Sequence, residues 1–330
     1  MEVAELSGGT AAERSMRKVA LIENPASGSV SPVRRSAVRK AASALAGAGM
    51  EVDHLVIDGP GRGSAMAAKA VADGCDTVLV CGGDGTVHEV LQGLVGTSVA
   101  LGVLPLGTAN ALAADLGLAG SPEKAIQRLL EARPVEVPVG RISYRAKDGS
   151  QECRYFTVAA GVGPDALLMA RMDPALKRRL GYVLYMIEAF RIWASHPFPL
   201  FEVRVDDGNG GGATLHASQI LAVRIRSFGG ALGQLAPGAT LHSNELSLVA
   251  FKTRSRLSYL RFLLAVMAGR QTFSKDVELI TAKAVECVAA PDAQGPLFVE
   301  ADGEVLGHAP VRMEMTSEKL TLLVPPGAKP

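Results

Sequence analysis

From Lys18 onward the sequence alternates short β-branched runs with longer alanine-rich stretches, and glycine-rich polar segments follow three of those runs. This alternation constrains the fold more than any other feature. A strand, a helix-forming stretch and a further strand in succession build a parallel sheet with crossover helices. Residues 18–23, 51–56, 77–81 and 100–104 read as strands, and residues 32–47, 63–73, 86–94, 109–116 and 121–132 as helices, the last with Pro122 in its first turn.

A length of 330 residues exceeds the usual single domain and predicts two, with a cleft between them. After Pro134 the texture changes to Val/Ile/Tyr-rich strands with glycine-rich turns, which places a boundary near Val137. Residues 155–160, 200–205, 219–225, 246–251, 284–288, 297–301 and 320–324 read as strands of a mainly antiparallel second domain, interrupted by helices at 174–195 and 257–268. The glycines at 208, 210, 211 and 212 read as a hairpin tip between strands, with no catalytic role. Residues 1–16 carry Glu2, Glu5 and Glu13 without an apolar core behind a basic start, so they read as a flexible tail and not as a secretory signal.

Composition excludes several functions. With 48% hydrophobic and 20% charged residues the chain has the make-up of a folded globular protein. A net charge of +1 supplies no global attraction to nucleic acid. The four cysteines, Cys75, Cys81, Cys153 and Cys287, form no C-x-x-C pair, which predicts free thiols in a reducing compartment and no zinc. His54, His88, His196, His216 and His308 show no metal-ligand spacing and read as structural or surface groups. The most apolar stretches, 181–193 and 257–269, are interrupted by Glu188, Arg191 and Arg261 and fall short of a membrane span, so membrane contact is expected to be peripheral.

In an open α/β sheet ligands sit beyond the carboxyl ends of the strands. Here those ends carry Asn24-Pro25-Ala26-Ser27-Gly28-Ser29, Gly82-Gly83-Asp84-Gly85-Thr86 and Leu106-Gly107-Thr108-Ala109-Asn110. Gly82, Gly83 and Gly85 let backbone approach an anion, and the helix opened by Thr86 aims free N–H groups at it. Asp84 amid such a cradle would repel phosphate unless it binds a cation or takes a proton, which suggests phosphoryl chemistry with Mg²⁺. A lone Gly-Gly-Asp-Gly is equally a tight turn; three such loops in register favour a nucleotide site. Neither a G-x-x-x-x-G-K-[ST] loop nor a G-x-G-x-x-G opening is present at the first strand.

Together the three loops resemble the catalytic domain shared by diacylglycerol kinases, sphingosine kinases and ceramide kinases, and especially their soluble bacterial lipid-kinase relatives. The resemblance continues through Val87-His88-Glu89-Val90-Leu91-Gln92-Gly93-Leu94, Gly161-Val162-Gly163-Pro164-Asp165-Ala166, Leu235-Ala236-Pro237-Gly238-Ala239 and Glu300-Ala301-Asp302-Gly303-Glu304, and so spans Lys18 to about Pro325. It implies an NAD kinase/phosphofructokinase-like α/β nucleotide domain over residues 17–137, and a β-sandwich lipid-substrate domain over 138–330. ATP and lipid would meet in the cleft between them. ATP contacts are expected from Asn24, Ser27, Gly28, Gly82, Gly83, Asp84, Gly85, Thr86, Gly107, Thr108, Asn110 and Glu304. The resemblance offers Asp84 or Asp302 as general base; Asp302 is assigned the base and Asp84 the Mg²⁺ or the alternative base role, with Asp165 on the substrate head group. An isolated Asp-Gly such as Asp302-Gly303 is otherwise a hairpin turn.

The sequence also departs from that pattern. Several bacterial diacylglycerol kinases carry charged residues where Ser29, Ala111 and Pro138 stand, and the acidic turn that holds a structural Mg²⁺ in some members is replaced by Leu241-His242-Ser243-Asn244-Glu245-Leu246. Lys177, Arg178 and Arg179 precede a helix with Tyr182, Tyr185, Phe190 and Trp193, a composition that suits either an anionic bilayer surface or a core helix with a basic end. The expectation is therefore an ATP- and Mg²⁺-dependent lipid kinase, cytoplasmic and peripherally membrane-associated, with diacylglycerol its first substrate and a homodimer as one allowed assembly. The alternatives are a sphingoid-like or other alcohol acceptor, a soluble acceptor, or a nucleotide-binding regulator without turnover.

Overall fold

The computed structural model describes residues 16–25, 32–172, 182–208, 210–229, 233–270, 273–289 and 295–328. In its first half, β1 (Lys18–Glu23), β2 (Glu51–Val56), β3 (Thr77–Gly82) and β4 (Ala100–Pro105) form a parallel sheet in the order β2-β1-β3-β4. All of β3 and β4 and most of β1 is buried, as continuous apolar runs require, whereas the edge strand β2 is largely exposed. The crossovers are α1 (Pro32–Gly47), α2 (Gly63–Ala72) and α3 (Asp84–Leu91), followed after β4 by α4 (Ala111–Asp115) and α5 (Pro122–Leu130). Ser121 caps α5 by accepting from Lys124 N, with proline at the first helical position.

The second half is mainly antiparallel. β5 (Arg133–Arg145) and β6 (Gln151–Phe156) form a hairpin, and β7 (Ala159–Val162) leads into α6 (Pro164–Arg171) and α7 (Tyr182–Ser195). The hairpin β8 (Phe201–Asp206) and β9 (Gly212–Ala217) turns through the expected glycine tip. Then follow β10 (Gln219–Val223), β11 (Leu246–Phe251), α8 (Arg256–Met267), β12 (Val277–Ala282), β13 (Ala284–Val288), β14 (Phe298–Ala301) and β15 (Glu304–Val324). Ile220, Leu248 and Val162 from one layer and Val203, Val285 and Met313 from the other bury a common core. The run expected as one strand at 155–160 is broken by the bend at Thr157 and Val158, whose N–H groups are committed to a side chain described below.

β15 joins the halves. It pairs with β14, β13 and β5 antiparallel, and at Thr321 and Leu322 with β4 parallel, so the last strand enters the first sheet. Val137 lies inside β5, whose hydrogen bonding to β15 continues on both sides of it. Leu320, Leu322, Leu323 and Val324 accordingly belong to the same core as Leu21, Leu79 and Leu101. Among the described residues no helix is long and apolar enough to cross a membrane.

Leu322 is fully buried and in register with Leu101. Leu322→Ala is expected to lower stability by about 2–5 kcal/mol in urea titration. Because β15 is bonded to both halves, fluorescence of Trp193, the single tryptophan, and far-ultraviolet circular dichroism should report one coincident transition. Two separate midpoints would show that the strand does not couple the halves.

Candidate active site

β1 lies between β2 and β3, so the chain leaves β1 to one side and returns on the other, and the loops after β1 and β3 open onto the point where strand order reverses. Just past β1, Asn24 N–H donates to Cys81 O at 3.3 Å and its Nδ2 donates to Thr86 Oγ1 at 2.9 Å. Ser27 and Gly28, expected beside it, lie outside the described residues. After β3, Gly83 is extended (φ −104°) and its carbonyl accepts from Val87 N, so α3 starts at Asp84, two residues before the expected Thr86. Asp84, Gly85 and Thr86 are therefore the first turn, where N–H groups lack intrahelical partners and the helix end is electropositive.

The third loop crosses the second backbone to backbone. A Cβ on Gly107 would stand 2.5 Å from Gly83 Cα, and one on Gly83 3.1 Å from Gly107 Cα. The Gly107 loop is closed by Asn110, which sits in the left-handed region at φ 53°, accepts from Gly107 N through Oδ1 and donates to Gly107 O through Nδ2, both at 2.9 Å. Thr108 is exposed at the tip. Asp84 has partners that the sequence reading did not weigh: its Oδ2 accepts from Asn110 N at 2.8 Å and its Oδ1 from Ala111 N at 2.7 Å. A carboxylate across two helix-opening N–H groups is a cap between loops as well as a charge among phosphates.

Asp302 arrives from the other half of the chain. It occupies the turn between β14 and β15 at φ 49° and is 6% exposed. Its Oδ1 accepts from Val158 N at 2.8 Å and Ala159 N at 3.1 Å, and its Oδ2 from Thr157 N at 3.0 Å and Thr157 Oγ1 at 3.4 Å. His88 Nδ1, from the middle of α3, is a fifth contact at 3.4 Å from Oδ2. About four lone-pair sites on a carboxylate are thereby filled. Two residues on, the Glu304 carboxylate lies against Gly85, where any Cβ would collide with it. The first-half cradle and the Asp302–Glu304 turn therefore share one wall.

Behind that wall sits Arg224, 1% exposed. Its backbone N–H donates to Val158 O at 2.9 Å and its Nη2 to Leu241 O at 2.9 Å, while Nε and Nη1 have no protein partner. Burial pushes the guanidinium down to about 10, and the negative charge of Asp302 opposes that shift. Arg224 is thus an internal counter-charge for an acidic region.

The acids of that region are close. The Asp165 and Glu300 side chains both approach the Cα of Gly161, leaving no room there for a Cβ. Asp165, in the first turn of α6, accepts from Ala166 N at 2.8 Å and has a buried Oδ2 without a partner. Burial pushes it up to about 7. Glu300 accepts from Gly303 N at 2.9 Å; burial first, then the Asp165 charge, raises it well above the ordinary carboxylate range. A protonated member of such a pair can donate a hydrogen bond to a ligand oxygen.

The structure thus brings Asn24, Gly82 to Thr86, Gly107 and Asn110 together with Asp302 and Glu304, and sets Asp165 next to Glu300, itself two residues from Asp302. His88, Arg224 and Glu300 went unassigned by sequence reasoning. Glu300 had a usable signal in its two-residue spacing from Asp302, and His88 in its four-residue spacing from Asp84 along one helix face. The replaced acidic turn at 241–246 closes on itself, Ser243 Oγ bonding Glu245 N and O at 3.0 Å each.

Two family profiles match the chain. Residues 18–142 match the profile of the diacylglycerol kinase catalytic domain, and residues 157–324 that of the YegS C-terminal NAD kinase beta sandwich-like domain. A diacylglycerol kinase of Mycobacterium tuberculosis is 29% identical over 327 residues, covering 97% of this chain and 99% of its own. A Chromohalobacter salexigens protein named probable lipid kinase YegS-like is 29% identical over 296 residues, 88% of this chain and 89% of its own. Among solved structures, a diacylglycerol kinase from Bacillus anthracis aligns with a TM-score of 0.68 at 19% identity over 95% of this chain and 98% of its own. Yeast NADH kinase complexed with NADH aligns at 0.52 and 10% identity over 94% and 84%. At these identities the structures report the fold.

Two outcomes follow from the geometry. In Asp302→Asn the new NH₂ group must face either the Val158 and Ala159 N–H groups or those of Thr157, so urea titration should show about 2–4 kcal/mol lost. Asp165 holds its proton more tightly folded than unfolded, so its contribution to stability is complete below the ordinary carboxylate range near 4 and is lost as pH rises through about 7. The thermal midpoint should therefore fall over that window, and Asp165→Asn should flatten the slope; an unchanged slope would remove Asp165 as its source.

Proposed function

Taking as premise that the chain belongs to the diacylglycerol kinase family, its two matched domains lying between residues 18 and 324, we propose that it is an ATP- and Mg²⁺-dependent lipid kinase with diacylglycerol as its acceptor. That it is a kinase of a lipid alcohol rests on the family; the nucleotide, the metal and the acceptor are our reading. The observation that carries it is the meeting of segments from both halves of the chain at Gly83 to Gly85: the Gly107 loop on one side, Glu304 on the other, and Asn24 against Thr86.

The phosphates of ATP would lie over the first turn of α3, with the side-chain-free backbones of Gly83 and Gly107 beneath them. Asp84 and Glu304 flank Gly85, and one or two carboxylates beside phosphate oxygens are the donor set that magnesium takes. When bound, the metal neutralises charge on the transferring group. Asp302, expected as the general base, has its lone pairs filled in this arrangement. We therefore give the proton-accepting role to Asp84 and keep Asp302 as the residue that positions the Glu304 turn. The protonated member of the Asp165–Glu300 pair would donate to an ester oxygen of the acceptor's glycerol backbone, leaving its single hydroxyl for Asp84. Peripheral contact with a membrane surface completes the reading, since such an acceptor resides in a bilayer.

The test is transfer of labelled γ-phosphate to a total lipid extract, with the product identified by mass spectrometry. Phosphatidic acid is expected, and chelation of Mg²⁺ should abolish its formation. Asp84→Asn should lower kcat by about 10²–10⁴-fold with ATP binding retained. A protein that binds ATP yet labels no lipid would be a regulator, and a phosphorylated sphingoid base would replace diacylglycerol as acceptor.

A further inference from the structure

α7 and α8 each leave an apolar stripe exposed among the described residues. On α7 the exposed residues Val183, Met186, Ile187 and Phe190 follow the i, i+3, i+4, i+7 spacing of one helix face. On α8 the exposed positions are Leu257, Leu264 and Met267, with Arg261 between them, while Phe262 and Val266 are buried against the sandwich. The two helices meet end to end. Phe190 lies 5.7 Å from Trp193 between ring centroids, Trp193 Nε1 donates to Arg256 O at 2.9 Å, and Leu257 is the next residue.

Charge selects the occupant. From residue 252 to 275 the sequence contains six basic residues and no Asp or Glu. Lys252 is taken by Glu278, but Arg254, Arg256, Arg261 and Arg270 are exposed and make no ion pair among the described residues. A second copy docking by the same face would set these arginines against their own equivalents, a like-charge contact. An anionic bilayer accepts both features at once, the apolar stripes entering the acyl boundary and the arginines staying at the head groups.

The surface is tied to the site. The Tyr259 ring of α8 stacks on Phe251 at 4.3 Å and packs on Phe198 at 4.4 Å, and its hydroxyl bonds Ser218 Oγ at 2.9 Å. Ser218 O borders Gly163, the N-cap of α6, whose first turn holds Asp165; α6 also packs against α7. We propose that α7 and α8 form a two-part dock for an anionic lipid bilayer, which seats the protein with the Asp165 end of α6 next to the membrane. This deepens the lipid-kinase reading and rests on it for what the dock delivers.

The experiment is vesicle flotation of the full chain with phosphatidylglycerol–phosphatidylcholine vesicles against phosphatidylcholine alone, paired with kinase assays on vesicle-borne diacylglycerol and on a short-chain diacylglycerol dispersed as monomers. The chain should float with anionic vesicles and be released by salt. Phe190→Ser with Leu264→Ser should weaken that binding by about tenfold or more, given roughly 1.5–3 kcal/mol for each fully buried apolar side chain. Turnover of the dispersed substrate should be unchanged. Arg261→Glu alone should reduce binding while leaving the apolar stripes intact. Variant chains that float like the parent, or a parent dimer that the serine variants convert to monomer, would overturn the dock. Flotation without phosphorylation of any lipid would keep the dock and sink the kinase reading instead.

Discussion

The carboxylate of Asp302 is the interaction on which the rest of the arrangement depends. It is buried, it draws in the backbone between β6 and β7, and it touches His88 on the helix that follows the glycine cradle. A charge in that position is tolerated because every lone pair has a donor and because Arg224 lies behind it. With the turn fixed, Glu304 has one place to go, over Gly85. Together with the pairing of β15 to β4 and β5, that side chain registers the two halves of the chain to each other.

The carboxyl groups near the site differ in what surrounds them. Asp302 is met by several hydrogen-bond donors, Asp84 by the N–H groups opening α4, and Asp165 and Glu300, both buried, by one backbone N–H each and by each other. Environments of this kind separate the protonation behaviour of chemically identical groups, which is how one cleft can contain both acceptors and donors of protons.

Much of this was legible in the residues. The strand at Lys18–Glu23, the helix at Pro32–Gly47 and the strand at Leu246–Phe251 match their expected limits because burial and periodicity coincide there. The second and third loops were legible from glycine placement, since backbone crossing backbone at Gly83 and Gly107 admits no side chain. What stayed hidden depends on contacts distant in sequence. β5 was missed because a prolyl residue at 134 and another at 138 argue locally against a strand, and only pairing with β15 overrides them. The helix expected at 174–195 is seen as α7 from Tyr182, with its earlier part outside the described residues. Arg224 falls within the run read as a strand at 219–225, and its side-chain contacts follow from Val158 and Leu241, which no local pattern connects to it.

The return of β15 to the side of β4 also orders events in time. As the chain is synthesised, β1 to β4 and their helices emerge first, yet β4 remains an open edge, with unpaired N–H and C=O groups, until Thr321 and Leu322 have appeared. The first half is therefore exposed to strand-pairing errors through nearly the whole synthesis of the second half, and β15 closes the sheet like a bolt.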